Sequence, residues 1–121
     1  MIKNKQIPKR LINKLEKITA SMGWSVSVSN YANGNFIYFS QYSPAGQDFG
    51  FEVEAYTLED LYRAVKYYYD GYDCSEEAVI WLDDSGHGKN GAPYDMKDVY
   101  EDMEACEKMV GDLVERLAEA A

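Results

Sequence analysis

The hydrophobic period of this chain changes twice, and those two changes restrict its fold more than any other feature. Ile7, Leu11, Leu15, Ile18 and Met22 recur at helical spacing, Pro8 suits a first turn and Gly23 follows as a stop, so a helix is predicted from about Pro8 to Met22. From Trp24 the period becomes two. Trp24, Val26 and Val28 alternate with Ser25, Ser27 and Ser29, the pattern of a strand with one buried face. Asn33-Gly34 marks a hairpin turn, and the following run from Phe36 to Tyr42 is apolar on both sides, as a central strand requires. Ser43-Pro44-Ala45-Gly46 closes it as a turn. Phe49, Phe51, Val53 and Ala55 then point one way and Glu52 and Glu54 the other, which completes a three-stranded antiparallel meander.

The second change returns the chain to helix. Thr57 with Asp60 three residues on forms a near capping box, with Leu58, Leu61, Tyr62, Val65, Tyr68 and Tyr69 as the apolar stripe and Gly71 as the stop. Residues 75 to 83 read as a short helix capped by Ser75 or, through Ala78 to Leu82, as a buried strand; the reading leans to helix. Pro93 and Asp95 open a long last helix in which Met96, Val99, Met103, Cys106, Val110, Leu113 and Leu117 step alternately by three and four. Such a seam serves either a helix docked on its own sheet or a coiled-coil dimer, and three heptads do not separate the two. The expected class is therefore α+β: an α-β-β-β-α core with a three-stranded antiparallel sheet packed by helices, plus a short helix and a long C-terminal helix. The 121 residues fit a single domain, residues 1 to 121, and a composition of 46% hydrophobic and 27% charged residues is that of a chain with a real core.

Charge narrows the function classes. There are 21 acidic and 12 basic residues, a net charge of −9. The imbalance is segregated: Lys3, Lys5, Lys9, Arg10, Lys14 and Lys17 meet only Glu16 through residue 22, a local +5 that leaves −14 on the remainder. An acidic lobe repels phosphate backbones and complements a basic protein surface, although acidity also simply keeps a small protein soluble. The basic N-terminal stretch contains no signal-peptide core and no spanning run of about 20 apolar residues, so a cytoplasmic protein without membrane attachment is expected. Cys74 and Cys106 stand far apart with no second ligand pair, which reads as two structural thiols rather than a zinc or redox site.

No catalytic constellation can be assembled, and neither a cofactor nor a metal is expected. Gly86-His87-Gly88-Lys89-Asn90-Gly91 matches a phosphate-binding glycine pattern, but no strand follows it, Asp83, Asp84 and Asp95 crowd it, and it reads as a connecting or partner-contact loop. His87 is the single histidine, which excludes schemes that need two imidazoles. Asp83 and Asp84 are adjacent, so their side chains diverge and do not share a reaction centre. The 11 tyrosines are more than one core of this size needs. Tyr62, Tyr67, Tyr68, Tyr69 and Tyr72 cluster, and three consecutive tyrosines sweep about 200° of a helix, which places one of them, Tyr67, at the surface as a candidate anchor.

The α-β-β-β-α order over residues 8 to 70 resembles the topology of the double-stranded-RNA-binding domain. That family grips phosphate with lysines at the start of its second helix, where this chain has Thr57-Leu58-Glu59-Asp60, so direct nucleic-acid binding is not expected. A second likeness lies in Tyr42-Ser43-Pro44-Ala45-Gly46-Gln47-Asp48-Phe49, Trp81-Leu82-Asp83, Lys89-Asn90-Gly91-Ala92-Pro93 and the acidic last helix. It resembles small acidic proteins of gut-bacterial phages and conjugative elements. The resemblance implies a mobile-element accessory role of the anti-CRISPR or antirestriction kind, in which an inhibitor occupies the nucleic-acid-binding surface of a host defence protein.

The expected activity is then that of a small acidic protein-binding module whose carboxylates stand in for phosphates against a basic partner such as a defence nuclease. The candidate partner-binding residues are Glu59, Asp60, Tyr67, Asp70, Asp73, Asp83, Asp84, Asp98, Glu101 and Asp102. The alternative is a non-catalytic homodimeric module joined through the heptad helix.

Overall fold

The computed structural model describes residues 6–80 and 95–121. Within them the order is α1 (Lys9–Thr19), β1 (Ser25–Tyr31), β2 (Gly34–Tyr42), β3 (Asp48–Val53), α2 (Leu58–Asp70), α3 (Cys74–Ile80) and α4 (Met96–Ala120). The class is α+β, with the three strands in the antiparallel order β1-β2-β3.

Helix α1 starts as expected, with the Pro8 carbonyl accepting from Leu11 and Ile12, but it ends a turn before Met22. The Thr19 hydroxyl donates to the Leu15 carbonyl at 2.8 Å, a local competitor for the helical ladder. The chain then reverses through Gly23 at φ +86°, a conformation that costs glycine nothing. The first hairpin pairs Tyr31 with Gly34, so its two-residue loop is Ala32-Asn33 rather than Asn33-Gly34.

Register sorts the sheet into two faces. Val28, Ile37 and Val53 form one row and Val26, Phe39 and Phe51 the next, facing the helices; Ser27, Tyr38 and Glu52 form a row on the opposite face. Ile37, Phe39, Phe49, Phe51 and Val53 are buried with Leu11, Leu15, Leu61 and Val65 in one core. The expectation of a buried face on β1 holds only in part: Val26 is half-buried and Val28 is 39% exposed. β1 is an edge strand, whereas β2 lies between two neighbours. On the outer face, the Tyr38 ring overlies β3 so closely that a Cβ on Gly50 would collide with its hydroxyl.

Thr57 caps α2 by accepting from the Asp60 amide at 3.1 Å. The next segment is helical through Ile80, and its cap is Asp73, whose Oδ1 accepts from Ser75 and Glu76, not Ser75. Asp95 caps α4 through the Asp98 amide.

Helix α4 lies against α2 and α3 and touches α1. Val99, Met103, Cys106, Val110, Leu113 and Leu117 are 0% exposed. The heptad seam therefore docks within its own chain; of its seven residues only Met96, at 40% exposure, stands out of the core. The periodicity was indifferent between the two readings because a self-docked helix and a coiled-coil helix bury the same stripe. Among the described residues no helix is long and apolar enough to cross a membrane.

Candidate functional site

The residues singled out by sequence fall into several settings. Glu59, Asp60 and Asp70 are exposed on α2, but each meets a cation of its own helix: Arg63 lies 2.5 Å from Glu59 and 3.5 Å from Asp60, and Lys66 lies 2.9 Å from Asp70. Glu101 has Lys97 at 3.8 Å, and Asp73 is occupied in capping α3. Three carboxylates against two cations leave the outer face of α2 nearly neutral. Asp98 is exposed in the first turn of α4, where a carboxylate favours the helix. Asp83 and Asp84, with the Gly86 to Gly91 loop and His87, lie outside the described residues.

Asp102 is a correction. It is 5% exposed, and its carboxylate accepts from the Ser43 hydroxyl at 2.5 Å and from the Ala45 amide at 3.0 Å. Ser43 in turn accepts from the Gln47 amide at 2.8 Å. A buried carboxylate needs such partners, and these belong to the turn between β2 and β3. Asp102 fastens that turn to α4 and is not part of the surface. The signal was present in the spacing, since position 102 stands three residues after Val99 and four before Cys106, on the seam face.

The uncompensated charge lies elsewhere. Glu52 and Glu54, which the sequence marks only as the wet face of β3, accept from the Tyr31 hydroxyl at 3.1 Å and the Tyr56 hydroxyl at 2.8 Å. Among the described residues neither has a lysine or arginine at ion-pairing distance. Hydrogen bonds from neutral phenols stabilise these carboxylates without cancelling their charge. The Tyr56 phenol is correspondingly pushed up, chiefly by its hydrogen bond to Glu54. Two further carboxylates, Glu104 and Glu107 on α4, act on Cys74 at the start of α3: burial first, then these two charges, push its thiol up to about 11. Burial and Asp102 push Cys106 up to about 12. At neutral pH both are protonated thiols and poor nucleophiles.

Glu52 and Glu54 flank a groove of about 460 Å³ between β3 and the C-terminal half of α2. Tyr67, Tyr68, Tyr72 and Glu77 complete its principal lining. The aromatic floor continues a column that begins in the core. Phe39 stacks on Phe51 with centroids 5.1 Å apart and planes 14° apart, and Phe51 stacks on Tyr68 at 4.4 Å and 6°. Tyr72 meets Tyr68 edge-on at 6.1 Å, and its hydroxyl donates to the Met103 carbonyl at 2.8 Å, so α4 holds the ring in place. Burial pushes both phenols up, which keeps the rings neutral. Tyr67 is 83% exposed at the groove's lip. Glu77 joins the groove to the α3–α4 side, since it also acts on Cys106.

Arg10, Lys14 and Lys17 gather on α1 and have no ion-pair partner among the described residues. Among the described residues no three His, Cys, Asp or Glu side chains come together as a metal site. No known protein family, characterised protein or solved structure matches this chain.

Proposed function

We propose that this protein is a non-catalytic binding module that inhibits or modulates a basic, nucleic-acid-handling partner, in the manner of a phage or mobile-element antagonist of host defence. The observation that carries the reading is the uncompensated carboxylate surface: among the described residues Glu52 and Glu54 have no lysine or arginine at ion-pairing distance, and Glu104 and Glu107 add negative charge near Cys74. Carboxylates held on a rigid sheet edge and helix raise the association rate with a basic surface and compete there with phosphate. The tyrosines beside them supply contact area at low rotamer cost. This assignment moves the working charge from the outer face of α2, which its own Arg63 and Lys66 offset, to β3 and the α3–α4 side.

The test is affinity capture from a bacterial lysate with and without nuclease at two salt concentrations, followed by competition against the captured protein's binding to DNA or RNA. A salt-sensitive, nuclease-indifferent nucleic-acid-handling partner that this protein displaces from its nucleic acid is the expected outcome. Capture that disappears with nuclease, or a partner that binds nucleic acid undisturbed, sinks the reading.

A further inference from the structure

Every described cation outside α1 is paired on its own helix: Arg63 with Glu59 and Asp60, Lys66 with Asp70, Lys97 with Glu101, Lys108 with Asp112 and Arg116 with Glu119. Lys9, Arg10, Lys14 and Lys17 on α1 have no such partner among the described residues, although the chain carries 21 acidic side chains against 12 basic ones. From this contrast we infer that the outward row of cations on α1 binds the phosphate backbone of nucleic acid. That surface is separate from the carboxylates of the function proposed above and opposite in sign. The acidic start of α2, which speaks against the grip of a double-stranded-RNA-binding domain, is a different element, and its Glu59 and Asp60 pair with Arg63 rather than with α1.

Helix geometry gathers the row. Arg10, Lys14 and Lys17 fall within about 60° of helix circumference and span about 10 Å of its axis, roughly the axial rise of three nucleotide steps. All three are exposed and border one open depression with Asn13. Glu16 does not offset them, because its helical neighbours Ile12, Asn13, Thr19 and Ala20 include no cation. Lys9 and Arg10 also stand in the first turn, where no acid accompanies them and the helix dipole disfavours positive charge, so helix stability does not explain their placement. Two other polyanions fit less well. A bilayer surface takes up an amphipathic helix by its apolar face, and that face of α1 is occupied in the core, with Leu11 and Leu15 buried. A protein interface is anchored by aromatic or apolar groups and uses lysine sparingly, whereas this row offers two lysines, an arginine and an asparagine. Phosphate contacts ask only for exposed cations along a line.

The experiment is a titration of the whole chain into a fluorescent mixed-sequence oligonucleotide, single-stranded and as a duplex, read by anisotropy over a series of salt concentrations. Saturable binding at low salt is expected, with log K falling against log salt at a slope of about −2 on the single strand and about −3 on the duplex, as three phosphate contacts give. Lys14→Gln with Lys17→Gln should weaken low-salt binding by about tenfold or more and bring the slope to about −1. Lys66→Gln with Lys108→Gln makes the same change in net charge at cations already paired with Asp70 and Asp112, and should leave affinity and slope nearly unchanged. All four lysines are exposed, so the circular dichroism spectrum should be that of the native chain in both pairs. No saturable binding by the native chain overturns the assignment, as does an equal loss in the two lysine pairs. So does displacement of the oligonucleotide by polyglutamate as efficiently as by unlabelled oligonucleotide, which would give the row to an acidic protein. Capture of the basic partner rests on the carboxylates and should survive in the Lys14 and Lys17 pair, so failure of one surface is read separately from failure of the other.

Discussion

The Ser43 hydroxyl, on the turn between β2 and β3, donates to the buried carboxylate of Asp102 on α4 across 59 residues of sequence. This contact, with the Ala45 amide as second donor, is the polar tie between the sheet's far turn and the longest helix. Asp102→Ala leaves both donors without their acceptor, and a loss of about 2–4 kcal/mol is expected. Urea unfolding measures it, with Asp98→Ala as the surface comparison, expected within about 1 kcal/mol of the parent. An Asp102→Ala protein as stable as the parent rules out the tie.

Val110 is fully buried between α4 and the rest of the chain, so Val110→Glu should abolish folding rather than split an assembly. Val110→Ala should cost about 2 kcal/mol, and the melting temperature should not depend on protein concentration. A concentration-dependent melt, or a folded monomer from Val110→Glu, would show the seam to be an intermolecular one.

At Gly111 α4 packs closely on α2, since a Cβ there would lie 3.0 Å from the Tyr69 ring. Leucine raises helix propensity but has no room, so Gly111→Leu should destabilise by about 1–3 kcal/mol. In Tyr69→Ala the same substitution should be far better tolerated. A thermodynamic cycle over the two positions reads the coupling, and strict additivity denies the contact.

Alkali should weaken the fold. Cys106 is pushed from 9.0 up to about 12 and Cys74 up to about 11, both chiefly by burial, and Tyr68 and Tyr72 are raised above 10.0 for the same reason. Groups raised on folding contribute stability that is complete below their unfolded values and disappears as pH climbs through the folded ones. Unfolding free energy should therefore fall from about pH 9 towards pH 12, and the fall should be shallower in Cys106→Ala. A flat profile across that window contradicts the burial of these groups. In the native protein at pH 8, both thiols should also react with a thiol reagent far more slowly than in denaturant.

Among surface carboxylates, the pair Glu52→Gln with Glu54→Gln should reduce binding to a captured basic partner more than neutralising Glu59, Asp60 and Asp70 together. The latter three already face Arg63 and Lys66. Side-by-side affinities at low salt decide the matter; the reverse order would return the interface to α2.

Local periodicity was enough to predict the class, the strand order and the positions of α1, α2 and α4, because a stripe of period 3.6 or 2 is a property of neighbours in sequence. Thr57 and Asp95 as caps follow from the same short range, as do the apolar residues of the seam. Where a stripe lands and which charges remain unpaired are through-space properties. Leu113 and Leu117 look identical in a dimer and in a self-docked helix until the rest of the core is brought against them. Asp102 and Glu101 are adjacent acids in sequence, yet one is sealed by a turn 59 residues away and the other faces Lys97 on the surface. Glu52 becomes a groove wall only when α2 folds back over the edge of β3 and sets Tyr67, Tyr68 and Tyr72 beside it. Charge and aromatic content were written in the composition. Their placement depended on which side chains the packed core left facing water, and only the tertiary structure decides that.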